Sequence, residues 1–342
     1  SADNNYIKKN STMKNLKLIK VSIIISILMI GNKVYSQTPH AYITNFNDST
    51  ISVIDMNKML KVADIVTGKN PHGVDVSPDG RTVAVSNEGS NTVSIIDANA
   101  NKVIKTISVG KHPHQLAFSR DGEKLLVTLN ADNALCIINT NNWSSDTIIN
   151  VGRNPHIVLP SPDGKLAYIT LEGDEKVVIL NISTLKLVTE IPVFGWPRIP
   201  DLSSDGRTLY LSLRWLNGVL IIDTEKKQVS NWIQLPQNEK FPSEGKASHG
   251  IKLSADGTML FITSQIRNSV SVINTKTMKV IKEIPVGTDP NWIDFTADAK
   301  YAVVSNTGSN DVSIIDLKKL SVIKSLPVGK APKRLKVATT NN

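Results

Sequence analysis

Cysteine is almost absent from this sequence: among 342 residues there is one, Cys136. A single cysteine excludes an intrachain disulfide, so the chain must be held by its core and topology. Cys136 lies in the segment ALCIIN, where equivalent segments read TVSIID and SVSVIN. We therefore predict a small buried strand residue there and not a catalytic thiol.

An apolar run long enough to anchor the N-terminus in a membrane is also missing. The segment VSIIISILMI has ten apolar residues, follows the basic stretch MKNLKLIK and precedes GNKVYSQ. This order predicts a signal peptide over Met13–Ser36, with Val34 and Ser36 before the cut. The alternative is an uncleaved anchor. We expect an exported protein, periplasmic or extracellular, with no membrane span after cleavage. The division is then 1–36, extension plus signal peptide, and 37–342, the folded domain.

Strong charge of one sign is lacking in that domain. The formal net charge is +9, but six lysines and one acid fall in residues 1–36. The remainder is mildly basic and contains no long Lys/Arg run that predicts a nucleic-acid patch. Nucleic acid is therefore an unlikely partner.

What the chain does have is an internal repeat. Asp-Gly turns recur at Gly80, Gly122, Gly164, Gly206 and Gly257, and Ala299 stands in the sixth position, at steps of 42, 42, 42, 51 and 42 residues. Each unit holds four short Val/Ile/Thr-rich segments separated by turn signals. A period near 40 with four strands per unit is typical of a propeller blade.

Polar residues at the end of the third segment have a structural interpretation. We predict that they form Asx-type turns at Asp55, Asp97, Asn139, Asn181, Asp223, Asn274 and Asp316.

The two ends of the domain predict how the ring closes. We call the strands of a blade a to d, with a innermost. The domain opens on AYITN, which matches strand b, and ends on KRLKVAT, which matches strand a. We therefore predict an all-β fold: a single seven-bladed β-propeller with four antiparallel strands per blade, whose C-terminal strand a joins the N-terminal strands b–d. Closure removes exposed sheet edges.

The segments AYITNFNDSTISVID, VAVSNEGSNTVSIID and AVVSNTGSNDVSIID resemble the YVTN-type β-propeller repeat. The resemblance covers nearly all of residues 40–340. It implies an exported seven-bladed propeller, and no single activity.

One position of the repeat concentrates histidine. It follows the proline, or its equivalent, at the entry to strand a and is occupied by His72, His114, His156, Arg198, His249, Asn291 and Lys333. Strand a lines the central axis, so these seven ring residues should surround one mouth of the channel. His112 lies in the same loop as His114.

Three interpretations of the ring stay open. A transition metal (copper, iron or zinc) could be held by the imidazoles of His72, His114, His156 and His249. This arrangement resembles that of nitrous oxide reductase. No cofactor is predicted outright. Alternatively, His, Arg and Lys form a cationic mouth for a small anionic ligand or an acidic partner protein. The third interpretation is a favoured loop sequence with a capping imidazole.

The same face should be asymmetric, because Arg214 and Trp215 break the Asn-rich pattern of the loops between strands b and c, and Trp196 and Trp292 lie beside Arg198 and Asn291. Exposed Trp and Arg are typical interface anchors. The longest insertion, within PQNEKFPSEGKASHG before His249, should project from this face. Trp143 and Trp232 are assigned to packing.

The resulting functional hypothesis is a binding or scaffold protein that is not catalytic on its own. It resembles, at repeat level, the propeller subunit of hydrazine synthase, a non-catalytic part of an extracytoplasmic assembly. The alternatives are a metal or redox site on the ring and a lactonase-like hydrolase, since GKHPHQLAFSRDG resembles a stretch of lactonase-type propellers. In that case His112, His114 and His249 could act as acid or base, with Arg198 on the carboxylate or oxyanion. No acid is clearly paired to them; Glu88 and Glu172 are the nearest.

Overall fold

The computed structural model describes residues 37–236 and 248–341, and every regular element in these residues is a β-strand. The first fifteen strands are β1 Gln37–Asn45, β2 Thr50–Asp55, β3 Leu60–Val66, β4 Pro71–Val76, β5 Thr82–Asn87, β6 Thr92–Asp97, β7 Lys102–Ser108, β8 Pro113–Phe118, β9 Lys124–Leu129, β10 Ala134–Asn139, β11 Ser144–Asn150, β12 Pro155–Pro160, β13 Leu166–Leu171, β14 Lys176–Asn181 and β15 Lys186–Pro192. The others are β16 Pro197–Leu202, β17 Thr208–Leu213, β18 Gly218–Asp223, β19 Gln228–Gln234, β20 Ser248–Leu253, β21 Met259–Ser264, β22 Ser269–Asn274, β23 Lys279–Pro285, β24 Pro290–Phe295, β25 Tyr301–Asn306, β26 Asp311–Asp316, β27 Ser321–Pro327 and β28 Pro332–Asn341.

These strands form seven four-stranded antiparallel sheets, which confirms the predicted seven-bladed propeller. Six sheets each take four consecutive strands. The seventh has the order β28-β1-β2-β3, so the last strand of the chain becomes strand a of the first blade. Its register pairs Gln37 with Asn341 and Ile43 with Leu335. The predicted closure by the C-terminal strand is confirmed.

The core lies between neighbouring blades. Strands b and c are buried along most of their length, as in Val83–Val85 and Val93–Ile96, whereas strand d is largely exposed. Apolar side chains of one blade interdigitate with those of the next; for example, Ile95 and Cys136 belong to one cluster. Cys136 is fully buried, and burial raises the pKa of its thiol to about 11. Both facts agree with a packing role for this residue.

The turns follow the chemistry predicted for them. Gly80, Gly122, Gly164, Gly206 and Gly257 adopt φ between 71° and 75°, and Ala299 takes the same left-handed region at φ 53°. All seven predicted Asx residues accept hydrogen bonds from backbone N–H groups two or three residues later, as Asp55 does from Asn57 and Lys58 at 2.9 Å. Trp143 and Trp232 pack against apolar clusters, as predicted.

A buried hydroxyl in every strand b joins each blade to the next. Each hydroxyl accepts a hydrogen bond from the backbone N–H of the residue that follows the ring residue in its own blade. It donates a hydrogen bond to the backbone carbonyl of the ring residue in the following blade. The donor–acceptor distances of these bonds are 2.6–3.5 Å. The seven hydroxyls belong to Thr44, Ser86, Thr128, Thr170, Ser212, Thr263 and Ser305. This circle of hydrogen bonds fixes the backbone from which the ring side chains project.

Removing one hydroxyl should therefore destabilise the ring. Thr44 donates to His72 and accepts from Arg334, so Thr44→Val keeps the shape and leaves buried backbone groups without a partner. We expect a loss of about 1–3 kcal/mol in the free energy of unfolding, measured by urea denaturation. The exposed Thr184→Val is the control and should change stability little. Equal effects of the two substitutions would contradict the bracing role.

A second polar layer lines the channel on the side away from the ring. Asp75, Asp201 and Asp294 each accept a backbone N–H from the next blade at 2.7–3.0 Å. Lys252 pairs with Asp294 at 3.2 Å and Lys336 with Asp75 at 3.3 Å. These groups border a cavity of about 450 Å³. Because the carboxylates and ammonium groups satisfy one another and the backbone, this layer is accounted for as a structural brace.

The residues outside the described ranges include the predicted signal peptide within 1–36 and the insertion at 237–247. In the part of the chain that the structure covers, no helix has the length and apolar character of a membrane crossing.

Candidate functional site

The seven ring residues surround the axis at one end of the channel, which we call the channel mouth. Each stands at the second residue of strand a, where the hydroxyl circle holds its carbonyl. His72, His156, His249 and Asn291 are buried, and His114, Arg198 and Lys333 are partly buried. The repeat position identified in the sequence thus brings all seven residues together.

Three of the imidazoles form a stacked row. The ring centroids of His72 and His114 lie 4.0 Å apart, and those of His114 and His156 lie 4.3 Å apart. Nδ1 of His72 is 3.2 Å from the carbonyl of His114, and Nδ1 of His114 is 3.1 Å from that of His156. A carbonyl only accepts, so both Nδ1 atoms carry the proton. Their Nε2 atoms are left with a lone pair.

The ring histidines are uncharged at neutral pH. Burial is the main cause that lowers the pKa of His72, His114, His156 and His249 well below the usual value. The nearby guanidinium of Arg334 lowers all four further. The positive charge at the mouth therefore comes from arginine and lysine and not from imidazolium.

Arg334, which sequence reasoning missed, fills the centre of the mouth. It is 1% exposed, and its guanidinium contacts Nε2 of His156 at 3.3 Å and Oδ1 of Asn291 at 3.2 Å. The guanidinium carbon lies 4.4 Å from the centre of the Trp292 ring. Its Nε has no hydrogen-bond partner among the described residues. Burial lowers the pKa of Arg334, which reflects the cost of holding this cation away from water.

Arg198 and Glu172 form an ion pair beside it. Nε of Arg198 lies 3.2 Å from Oε1 of Glu172, and its Nη1 lies 3.0 Å from Nε2 of His249. Nδ1 of His249 donates to the carbonyl of Asn291 at 2.7 Å, so its Nε2 accepts from Arg198. Burial lowers the pKa of Arg198 to about 10, against the opposing effect of Glu172. Arg198 stays cationic at neutral pH.

Lys333 completes the set of cations. Its ammonium lies 5.8 Å from the centre of the Phe46 ring, and burial lowers its pKa. Among the described residues the mouth therefore holds three cationic side chains, Arg198, Lys333 and Arg334, together with the carboxylates Glu88 and Glu172, and the charge of Asp289 also acts on Lys333.

His112 has a carboxylate partner, Glu88, which is one of the two acids that the sequence offered as the nearest to these histidines. Its Nε2 lies 2.7 Å from Oε1 of Glu88, in the loop between strands b and c of the preceding blade. His112 stands at φ 57°, a conformation that the equivalent residues Asn70 and Asn154 share at 52° and 51°. Oε2 of Glu88 is buried and has no hydrogen-bond partner among the described residues. The loops thus aim an acid at the channel mouth.

The metal-ligating side chains predicted from the sequence are divided by this arrangement. Nε2 of His156 contacts Arg334, and Nε2 of His249 contacts Arg198. His72 and His114 instead approach Glu88, and one ligand atom from each of these three residues lies within 4.8 Å of the others.

The aromatic residues of the face also separate into two groups. Trp196 and Trp215 lie 5.8 Å apart between ring centres, with the Arg214 guanidinium over both, and Trp215 is 50% exposed. Trp292 follows the ring position in its own blade and packs on apolar clusters and on the guanidinium of Arg334. Its predicted part in ligand or partner binding stays a prediction.

Comparison with known proteins agrees with the fold. The family model described as YNCE-like beta-propeller matches residues 29–153 and 228–340, more than half of the chain. The chain belongs to the YNCE-like beta-propeller family. The finer assignment to the YVTN-type repeat stays a prediction. No curated protein gives a significant match.

Solved structures share the fold at low identity. A chain of hydrazine synthase from Kuenenia stuttgartiensis is 20% identical, with a TM-score of 0.72, over 80% of this chain and 91% of its own. A periplasmic gluconolactonase from Pseudomonas aeruginosa is 19% identical, with a TM-score of 0.71, over 88% and 99%. A putative 6-phosphogluconolactonase from Bacteroides fragilis is 17% identical, with a TM-score of 0.75, over 90% and 99%. These likenesses show the fold alone.

Proposed function

We propose that this protein is an exported binding protein whose channel mouth holds a carboxylate or phosphate, on a small ligand or on an acidic partner protein. The observation that carries the proposal is Arg334: a guanidinium that is almost fully buried at the axis with its Nε unpartnered. A buried cation without an adjacent carboxylate is costly unless an anion completes its hydrogen bonds.

The surroundings of Arg334 support an anion. Arg198 and Lys333 add two further cations at the same mouth, and their guanidinium and ammonium groups can donate to an oxyanion from different sides. Trp196 precedes Arg198 by two residues, and its ring contacts that of the exposed Trp215. These aromatic rings would cover the apolar part of a ligand whose acid group reaches Arg198.

The test is titration of the purified protein with phosphate and with citrate at low ionic strength, in which isothermal calorimetry measures the binding. We expect saturable binding with one site per chain. Arg198→Gln should weaken it by roughly 10-fold or more, because a hydrogen bond to a charged group contributes about 1.5–3 kcal/mol. Lys300→Gln removes one positive charge from an exposed site away from the mouth and should leave binding unchanged.

Two results would contradict the proposal. One is no saturable binding of either anion by the unaltered protein. The other is an equal loss in Arg198→Gln and Lys300→Gln, which would mean that net charge alone, and not the mouth, attracts the anion.

A further inference from the structure

The row of histidines carries a second inference, which concerns the side of the mouth nearest Glu88. Here the chain brings together two neutral imidazoles and one carboxylate, His72, His114 and Glu88, with ligand atoms within 4.8 Å of one another. We propose that these three side chains bind one first-row divalent metal ion, of which Zn²⁺ is the representative case.

The histidines are prepared for this role by their second nitrogen. Nδ1–H of His72 donates to one backbone carbonyl and Nδ1–H of His114 to another. A hydrogen bond of this kind fixes the tautomer and the ring orientation of metal-binding histidines. The carbonyls that accept these bonds are themselves held by the hydroxyls of Ser86 and Thr128. Both Nε2 lone pairs are therefore presented on rings that cannot easily turn away.

Glu88 is prepared in a similar way. His112 holds its Oε1 at 2.7 Å, while Oε2 is buried without a hydrogen-bond partner among the described residues. A buried carboxylate oxygen without a partner is costly, and a metal ion would complete it. His112 then acts as the outer residue that orients the ligand carboxylate.

The donor set matches a known preference of such ions. Two imidazoles and one carboxylate suit Zn²⁺ at distances of roughly 2.0–2.2 Å and leave a fourth position open. In a tetrahedral site with these distances the ligand atoms lie roughly 3.3–3.6 Å from one another, and in this cluster they lie within 4.8 Å of one another. The open position lies at a mouth that also contains Arg334 and Lys333.

Those two cations oppose a metal ion, and an anion on its open position would offset them. We therefore expect phosphate to tighten Zn²⁺ binding. This coupling rests on the proposed function, whereas the metal site itself does not.

The experiment is calorimetric titration of Zn²⁺ into the full protein after chelator treatment and removal of the chelator. Co²⁺ absorption in the visible range gives an independent signature of the ligand geometry. We expect one Zn²⁺ per chain. Binding should weaken about 100-fold or more in His72→Gln combined with His114→Gln, and about 10-fold or more in Glu88→Gln. His40→Gln changes a buried histidine that contacts Thr340 and pairs with Ala338, five residues along β28 from the ring position, and should bind Zn²⁺ as the unaltered protein does.

Thermal unfolding of each variant separates loss of the site from loss of the fold, and Glu88→Gln, a single change in a loop, tests the site even if the double variant does not fold. Absence of stoichiometric Zn²⁺ binding, or equal losses in Glu88→Gln and His40→Gln, would overturn the metal site. Phosphate binding in the presence of chelator is measured separately. If it persists when Zn²⁺ does not bind, only the metal inference fails.

Discussion

Replacing Arg334 by methionine is expected to raise the stability of the protein and to remove its anion site at once. Methionine is unbranched, fills a similar volume and needs no hydrogen bonds. The charge that it removes is desolvated, and its direct partners are the neutral His156, His249 and Asn291 and the face of Trp292. Among the described residues no carboxylate forms a direct ion pair with Arg334, and Glu88 and Glu172 act on its charge from farther away.

The expected gain is about 1–4 kcal/mol in the free energy of unfolding, the range found when buried charges give way to packed apolar residues. Anion affinity should fall about 100-fold or more, because the central donor of the site is lost. Urea denaturation and calorimetry measure the two effects. Arg207→Met, at an exposed ion pair with Glu225, is the matched control and should change neither quantity appreciably.

A gain in stability together with loss of binding would mean that Arg334 is kept for its ligand and not for the fold. The contrary result is a clear destabilisation by Arg334→Met with anion binding retained. It would show that the contacts of the guanidinium with His156, Asn291 and Trp292 hold the propeller together and that the anion binds elsewhere.

The largest effect on folding is expected from removal of the last strand. A chain that ends at Ala331 lacks β28, which pairs with β1 from Gln37 to Asn45 and contributes the buried Leu335 and Val337. Without it, β1 becomes an exposed edge and the first blade loses its contact with the axis. The loss exceeds the 5–15 kcal/mol that typically separates folded from unfolded chains. We expect no cooperative unfolding transition.

Circular dichroism and size-exclusion chromatography measure this outcome, with a chain shortened only by Asn341 and Asn342 as the control. This control loses only the pairing of Gln37 with Asn341 at the end of the β1–β28 pair, so it should unfold cooperatively. A cooperative transition near that of the full protein in the chain ending at Ala331 would show that the other six blades are stable without closure.

The fold could be predicted from the sequence because the repeat states one structural unit seven times. A strand pattern that occurs once is ambiguous, but the 42-residue step aligns the turns at Gly80 and Gly122 with every later one. Because the first segment of the domain matches strand b and the last matches strand a, the closure of the ring could be predicted as well. The ring was found by the same reasoning, since its seven members share one aligned position.

Arg334, Glu88 and the role of Trp292 were harder to predict, for physical reasons. The position after the ring is occupied by glycine, glutamine, isoleucine, tryptophan and arginine in different blades, so it carries no repeated pattern. The signal available in the sequence was a charged residue, Arg334, at a position that is uncharged in the other six blades. Glu88 lies in a loop of the blade before His112, and the sequence does not reveal which loop side chains meet between blades.

The seven hydroxyls that join the blades appear in the sequence as Ser or Thr at a constant place in strand b. The sequence did not show that they join neighbouring blades. Thr44 and Ser212 each bond to two backbone groups, one of them in another blade. Only the radial arrangement of the sheets brings those groups within reach.

The shared first blade also sets the order in which the protein can become functional. Translation makes strands b, c and d of this blade first and its strand a last, and that final strand carries both Lys333 and Arg334. A chain interrupted before Pro332 lacks ring closure and two of the three cations of the mouth together. On the proposed function, we therefore expect anion capture only by chains that include β28, so that closure of the ring and assembly of the site are one event.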